Sequence, residues 1–147
     1  MKRVIIESPY APRDGHTIED HLRYLRACMA DSIHHGEAPY ASHALYTQPG
    51  VLRDEVPGER KLGIDAGFAW RECAELSVFY VDLGWSSGML AGKADCEAKG
   101  TPFEIRSLGS WELGLTATDR WGMPLGVVTG SVAAFHTEDL RLPGDSK

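Results

Sequence analysis

Apolar residues follow two patterns along this chain, short unbroken runs and helix-spaced stripes, and the two alternate. Val4-Ile5-Ile6 is a β-branched run stopped by Ser8-Pro9, which suits a strand buried on both faces of a parallel sheet. After the loop Tyr10 to His16, Thr17-Ile18-Glu19-Asp20 resembles a capping box with Asp in the closing place. Ile18, Leu22, Leu25, Met29 and Ile33 then recur at helical spacing, with Gly36 as the stop. Ala38 to Thr47 predicts a short strand running into a loop. Gln48 to Pro57, with two prolines and a glycine, is a long connection of the kind that serves as a lid. From Gly58 to near Ala74 a second helix is predicted, with Leu62, Ala66, Ala69 and Cys73 on its apolar stripe and Glu59, Arg60, Lys61 and Arg71 elsewhere.

Leu76 to Asp82 reads as another buried strand. Gly84 to Gly88 turns tightly into a third helix of about a dozen residues, closed by Gly100, and Thr101 to Leu108 supplies the next strand. Strand and helix thus alternate through residue 108, which predicts an α/β fold of the flavodoxin-like or Rossmann-like kind, a parallel sheet with helices on both faces. From Gly109 the pattern changes. Residues 111–118 and 127–135 read as strands around Trp121-Gly122-Met123-Pro124, a β-hairpin appendage followed by a loose tail over 142–147. The expected organisation is one α/β domain over 1–108 and a β-rich extension over 109–147, packed on that domain or on a partner subunit.

Composition narrows the function. At 147 residues the chain is one domain long, and 43% apolar with 24% charged residues disfavours both wholesale disorder and a membrane-spanning fold. A formal charge of -6 with no basic run argues against nucleic acid as a partner, yet a small phosphorylated ligand needs only a few backbone N–H groups and an arginine. Cys28, Cys73 and Cys96 are too far apart for a two-thiolate metal site and are expected to be reduced core residues. No metal site is expected, because no two ligands share a helix face at i, i+4 with a third in reach, and no cofactor is implied. The apolar run at the start is too short for a signal peptide and no stretch approaches membrane-span length, so the cytoplasm is the expected location.

In an open parallel sheet, ligands bind beyond the carboxyl ends of the strands. Three segments fall there: Glu7-Ser8-Pro9-Tyr10, Tyr40-Ala41-Ser42-His43, and Asp82-Leu83-Gly84-Trp85-Ser86-Ser87-Gly88-Met89. The last is a Ser-x-Gly turn opening a helix, where hydroxyls and unpaired amides meet the positive end of the helix dipole, a seat for phosphate. The plainer role of Ser86 or Ser87 is to cap that helix. His43 is a candidate general acid or ligand contact, or a structural hydrogen-bond partner. Arg60 and Arg13 are candidate phosphate partners, with surface ion pairing as the alternative. Trp85 lies in the ligand-facing turn and is a candidate for stacking on a base, whereas Trp70, Phe79 and Tyr80 are expected in the core. His16 and His21 are expected at the surface, and the pair His34-His35 at a helix end suits the negative terminus of the helix dipole.

These residues, taken in order, carry a resemblance. Ser8-Pro9-Tyr10 after the first strand, Pro39-Tyr40-Ala41-Ser42-His43 after the first helix, Glu59-Arg60 opening the second, and Ser86-Ser87-Gly88-Met89 followed by Ala98-Lys99-Gly100-Thr101-Pro102 resemble the nucleoside 2-deoxyribosyltransferase superfamily over residues 3–106. The likeness is closest to small phage and bacterial members of unknown function. It implies a nucleotide or nucleoside as the small-molecule partner and an N-glycosidase or deoxyribosyltransferase activity. Ser86, where branches acting on free nucleosides have Asp, implies a 5′-monophosphate, and Tyr10 would lie against the sugar.

The superfamily's catalytic Glu lies four residues past the Gly of that turn and eight before the Gly of the Lys-Gly-x-Pro end, and both counts land on Gly92. Glycine cannot meet an oxocarbenium-like transition state with charge. Asp95, one turn on, and Glu7, Asp82 and Glu104 near strand ends are the replacement carboxylates to weigh; Asp95 also reads as a solvated helix residue. Two classes of function therefore stand: an enzyme acting on the N-glycosidic bond through a displaced carboxylate, or a catalytically silent nucleotide-binding, sequestering or interaction protein. Trp111, Trp121, Met123 and Leu125 are the apolar residues expected to build a homo-oligomer through the extension, or to cover the sheet edge of their own subunit.

Overall fold

The computed structural model describes residues 1–109. Within them, β1 (Lys2–Glu7) leads through α1 (Ile18–His34) to β2 (Glu37–Tyr40) and a one-turn helix α2 (Ser42–Leu45). Then come α3 (Pro57–Trp70) with a 3₁₀ turn at Arg71–Cys73, β3 (Leu76–Tyr80), α4 (Ser87–Lys99) and β4 (Phe103–Arg106). All four strands are parallel in the order β2-β1-β3-β4. The α/β fold expected from the alternation of runs and stripes is present; the C-terminal hairpin and the interface residues proposed on it lie outside the described residues. Among the described residues no helix is long and apolar enough to cross a membrane.

Side-chain alternation divides the two faces of the sheet. Val4 and Ile6 of β1 and Val78 and Tyr80 of β3 point to one side, where Tyr24, Leu25 and Cys28 of α1 close over them. Phe79 points to the other and packs with Met89 and Cys96 of α4. Thr17 and Asp20 form the full capping box at the start of α1, each side chain bonded to the other's backbone N–H.

Two expected stripes face differently. The inward face of α1 carries His21, Tyr24, Leu25, Cys28 and Ser32, while Ile18 and Ile33 are exposed. Burial of His21 and Ser32 is possible because each has a polar partner: His21 Nδ1–H donates to the Tyr10 carbonyl at 2.8 Å, and Ser32 Oγ donates to Glu37 at 2.7 Å. His21 is therefore a core residue, not a surface one. On α3 the stripe expected at Leu62, Ala66, Ala69 and Cys73 turns away from the sheet, with Leu62 61% exposed. Trp70 is likewise half exposed, its indole N–H donating to Tyr46 Oη at 2.9 Å, and Cys73 is exposed where Cys28 and Cys96 are buried. The inward face of α3 comprises Ile64, Gly67 and Phe68, and Arg71 of the 3₁₀ turn continues it. Gly67 lies so close to α2 that a methyl group there would sit 2.8 Å from Ser42 Oγ.

Asp82, a candidate catalytic carboxylate, is consumed by structure. Its carboxylate accepts from Tyr24 Oη at 2.5 Å, from the amides of Leu108 and Gly109 at 3.0 and 3.1 Å, and from Ser107 Oγ. It ties the ends of β3 and β4 to α1.

The outer strands are joined by one side chain: Arg106 of β4 donates to both oxygens of Glu37 of β2, at 2.9 and 2.8 Å. The Arg106 hydrogen bonds hold the Glu37 carboxyl below its ordinary 4.5, against the opposing effect of burial and with help from Ser32. A carboxyl lowered in the folded state stabilises above its unfolded value, and that contribution is lost as pH falls through the lowered folded value. Glu37→Gln should therefore lose about 3 kcal/mol at pH 7 and show a shallower loss of stability below pH 4.5 than the parent, read from urea midpoints across an acid series.

Candidate functional site

A cleft of about 350 Å³ opens where the sheet order puts it, beyond the carboxyl ends of the adjacent strands β1 and β3. The connection from β1 leads to one side of the sheet and the connection from β3 to the other, so the loops that follow the two strands splay apart and leave a crevice.

One wall comes from the segment after β1. Ser8, Tyr10 and Arg13 line the cleft, and Pro9 is buried behind them. Ser8 and His43 share a 2.9 Å hydrogen bond between Oγ and Nε2, and the Tyr10 ring meets the His43 ring edge-on with centroids 6.5 Å apart. Burial, helped by His21, pushes the His43 ring down to about 4, so it is neutral at pH 7. A neutral ring donates from one nitrogen and accepts at the other, and lacks the second proton that an imidazolium could give a leaving group. His21 supports this wall from behind. Its Nδ1–H is spent on the Tyr10 carbonyl, leaving Nε2 buried without a hydrogen-bond partner among the described residues.

The second wall is the start of α4. Ser86 caps the helix, its Oγ accepting from the Met89 amide at 3.2 Å, while Ser86, Ser87, Gly88 and Met89 all line the cleft. First-turn amides of a helix have no intrahelical acceptor, so those of Ser87 and Gly88, which the cap does not use, are available here. Capping and ligand binding are compatible, because the cap uses Ser86 Oγ as acceptor and leaves its proton to donate. Arg60 and Arg13 flank this turn: a methyl group at Gly88 would lie 3.8 Å from Arg60 Nη2, and one at Gly84 3.7 Å from Arg13 Nη2. Each arginine already has a carboxylate partner, Arg60 in Asp54 and Arg13 in Asp14, and Arg13 also donates to the Trp85 carbonyl. The Asp54 pairing, together with Glu59 accepting from the Arg53 guanidinium at Oε1 and from the Arg53 amide at Oε2, pins the 48–57 connection to the start of α3. The Trp85 ring itself packs on Phe79 at 5.5 Å and does not line the cleft.

The third wall is lined by Ile64, Gly67 and Phe68 of α3 together with Glu7, and is backed by Arg71, which in the sequence falls off the apolar stripe of the second helix. The Arg71 side chain is only 2% exposed. It bonds Glu7 through Nη2 and Asp95 through Nη1, the latter at 3.0 Å, and its guanidinium lies 4.3 Å over the Phe68 ring. Burial lifts the Glu7 carboxyl above its ordinary value against the pull of Arg71. Burial also acts to raise Asp95, but the hydrogen bonds from Lys99 and Arg71 outweigh it and leave that carboxyl lowered. Glu7 lines the cleft and Asp95 does not; Glu104 is exposed and paired with Arg106.

Of the residues singled out from sequence, Ser8, Tyr10, Arg13, His43, Arg60, Ser86, Ser87, Gly88 and Met89 share this one cleft, as does Glu7. Arg71, Phe68, Gly67 and Ile64 were missed. Their spacing, 64-67-68-71, is a helical stripe, but a stripe holding a glycine and an arginine escapes a count of apolar residues. Among the described residues no group of three or more His, Cys, Asp or Glu is placed to hold a metal ion.

Two outcomes follow from the charges. Arg71→Met would leave the buried Glu7 carboxylate without a cation and Asp95 with Lys99 alone, and should cost about 3–5 kcal/mol, measured by chemical denaturation at pH 7. For His43 the folded value of about 4 lies below the unfolded 6.5, so the unfolded chain takes up the proton first. Stability should fall as pH drops from 6.5 toward 4, and His43→Gln should flatten that part of the curve while leaving the region above pH 7 parallel to the parent.

Comparison with curated proteins found no match, and comparison with solved structures found none. One family does match, over residues 2–106. That span runs from the first residue of β1 to the last of β4 and takes in all three walls of the cleft. The chain belongs to this family, described as a domain of unknown function (DUF7768).

Proposed function

We propose that the cleft binds a nucleoside 5′-monophosphate and that the protein acts on its N-glycosidic bond, as the resemblance to the nucleoside 2-deoxyribosyltransferase superfamily implies. The observation that carries this is the meeting, in one cleft, of the α4 start at Ser86–Gly88 with the Tyr10 and His43 rings. The free amides of a 13-residue helix, two serine hydroxyls and the flanking arginines suit a phosphate. The rings stand across from it, where a sugar and base would extend, and a cleft of about 350 Å³ is of the size that holds a small ligand. The phosphate draws mainly on the helix and the hydroxyls, because Arg60 and Arg13 arrive with their charge already balanced.

A cytoplasmic setting belongs to the same proposal. All three cysteines are free, and a reducing compartment keeps them so. The alternative to an enzyme is a binder that sequesters the nucleotide, and the feature that favours it is Gly92, where the superfamily has its carboxylate.

Ser86→Asp gives a clean test, because Asp caps a helix as well as Ser does and leaves α4 intact, but sets a negative charge against the ligand. Monophosphate affinity measured by titration calorimetry should drop about tenfold or more, roughly 1.4 kcal/mol, while affinity for the matching free nucleoside should hold. An unchanged monophosphate affinity would remove the phosphate from this turn.

A further inference from the structure

Gly92 and Glu7 form one arrangement. Gly92 stands four residues past Gly88 on α4 and is buried, and a methyl group there would lie 2.6 Å from Arg71 Nη2 and 3.1 Å from Glu7 Oε1. A contact of 2.6 Å essentially never occurs and one of 3.1 Å is tight, so any larger residue at 92 would have to push the Arg71 guanidinium aside and crowd the Glu7 carboxylate. The space beside α4 that a side chain at 92 would fill is thus taken by a carboxylate delivered from the end of β1.

The position suits chemistry on a sugar. Four residues of helix span about 6 Å, so Glu7 sits roughly one turn deeper along α4 than the amides at Gly88. The separation is comparable to that between the 5′-phosphate and the anomeric carbon of one nucleotide. Two acidic side chains line the cleft, Glu7 and Asp54, and Asp54 is spent on Arg60. Glu7 Oε1 is held by Arg71, which is anchored in turn by Asp95 and stacked on Phe68. Glu7 Oε2 makes no hydrogen bond among the described residues. One oxygen is fixed by Arg71 and the other has no donor among the described residues, on a residue that lines the cleft, an arrangement that suits a carboxylate meeting a carbon.

We propose that Glu7 is the catalytic carboxylate of this cleft, attacking the anomeric carbon of a bound nucleoside 5′-monophosphate through Oε2. The assignment rests on the nucleotide reading above. A C–O bond forms to Glu7 as the C1′–N bond breaks, and its electron pair leaves on the base, which takes a proton from a water molecule. The hydroxide so formed attacks the same carbon, breaks its bond to Glu7 and restores the carboxylate. One water is consumed, and the products are the free base and the pentose 5-phosphate. Arg71 is the positioning residue: its cation pulls against the effect of burial on the attacking carboxyl, and its two-sided anchoring keeps it from swinging into the ligand space.

The test uses the full chain as wild type, Glu7→Gln and Glu7→Asp, against a panel of ribo- and deoxyribonucleoside 5′-monophosphates. Binding is read by calorimetry and release of base by chromatography. Wild type should bind at least one monophosphate and release its base. Glu7→Gln should bind it within about threefold and release base on the order of 100-fold more slowly. Glu7→Asp keeps the charge opposite Arg71 but draws the oxygens back by one methylene. It should fold and bind like wild type and still lose most of the rate, which an ion pair serving stability alone would not require. It also carries the test if the glutamine variant fails to fold. Acid-quenched wild type should show a pentose phosphate adduct on the Glu7 peptide by mass spectrometry. Wild type that binds no monophosphate overturns the nucleotide reading itself. Binding without release of base, or release undiminished in both variants, leaves that reading standing and overturns the role of Glu7.

Discussion

The cleft depends on one buried cation. Arg71 is almost wholly enclosed, and a guanidinium cannot shed its charge to relieve burial as a lysine or histidine can. It must be neutralised in place. Two carboxylates do this from two different elements, Glu7 at the end of β1 and Asp95 on α4, while Phe68 covers a face of the planar group. The turn after α3, the central strand and α4 are thereby fixed to one another at the point where their loops diverge to form the cleft. Removing any one partner leaves an unbalanced buried charge, so the arrangement is held as a unit.

The same cation explains why the two carboxylates differ. Glu7 has only Arg71 to offset its burial, whereas Asp95 also has Lys99 one turn along α4 at 2.9 Å, and their carboxyls are pushed in opposite directions. A pair of acids separated in this way is a general means of assigning different tasks to chemically similar groups. Here the lowered member lies outside the cleft as ballast for Arg71, and the raised member lies on the cleft wall.

Much of the fold was legible because its signals are local. The β-branched run at residues 4–6, the Thr17–Asp20 box and the Gly84–Gly88 turn each state a backbone preference that the structure honours. Parallel topology followed from alternation alone. What was not legible depended on partners far apart in sequence. His21 reads as a surface residue until the Tyr10 carbonyl is placed beside it. Leu62, Ala66, Ala69 and Cys73 read as an inward stripe until Arg71 is given two carboxylates and Gly67 is pressed on Ser42, which turns α3 the other way. The candidate site was traceable for a related reason: the residues after parallel strands are brought together by topology whatever their side chains. Which carboxylate faces the cleft was not traceable, since Glu7, Asp82, Asp95 and Glu104 all lie at suitable places in sequence and differ only in what binds them.

Gly92 is where these threads meet. Taken alone, glycine at a position where the superfamily that the sequence resembles carries an acid reads as the loss of a function. Beside Arg71 it reads as a steric requirement, because the guanidinium and the Glu7 carboxylate occupy the volume a side chain would need. An acid on α4 and an acid at the end of β1 would compete for the same space and repel each other across it. The two placements are therefore in competition, since a side chain at 92 would have to push aside the Arg71 guanidinium that binds Glu7. Absence of a residue from its expected position is informative about function only after the occupant of the vacated space is known.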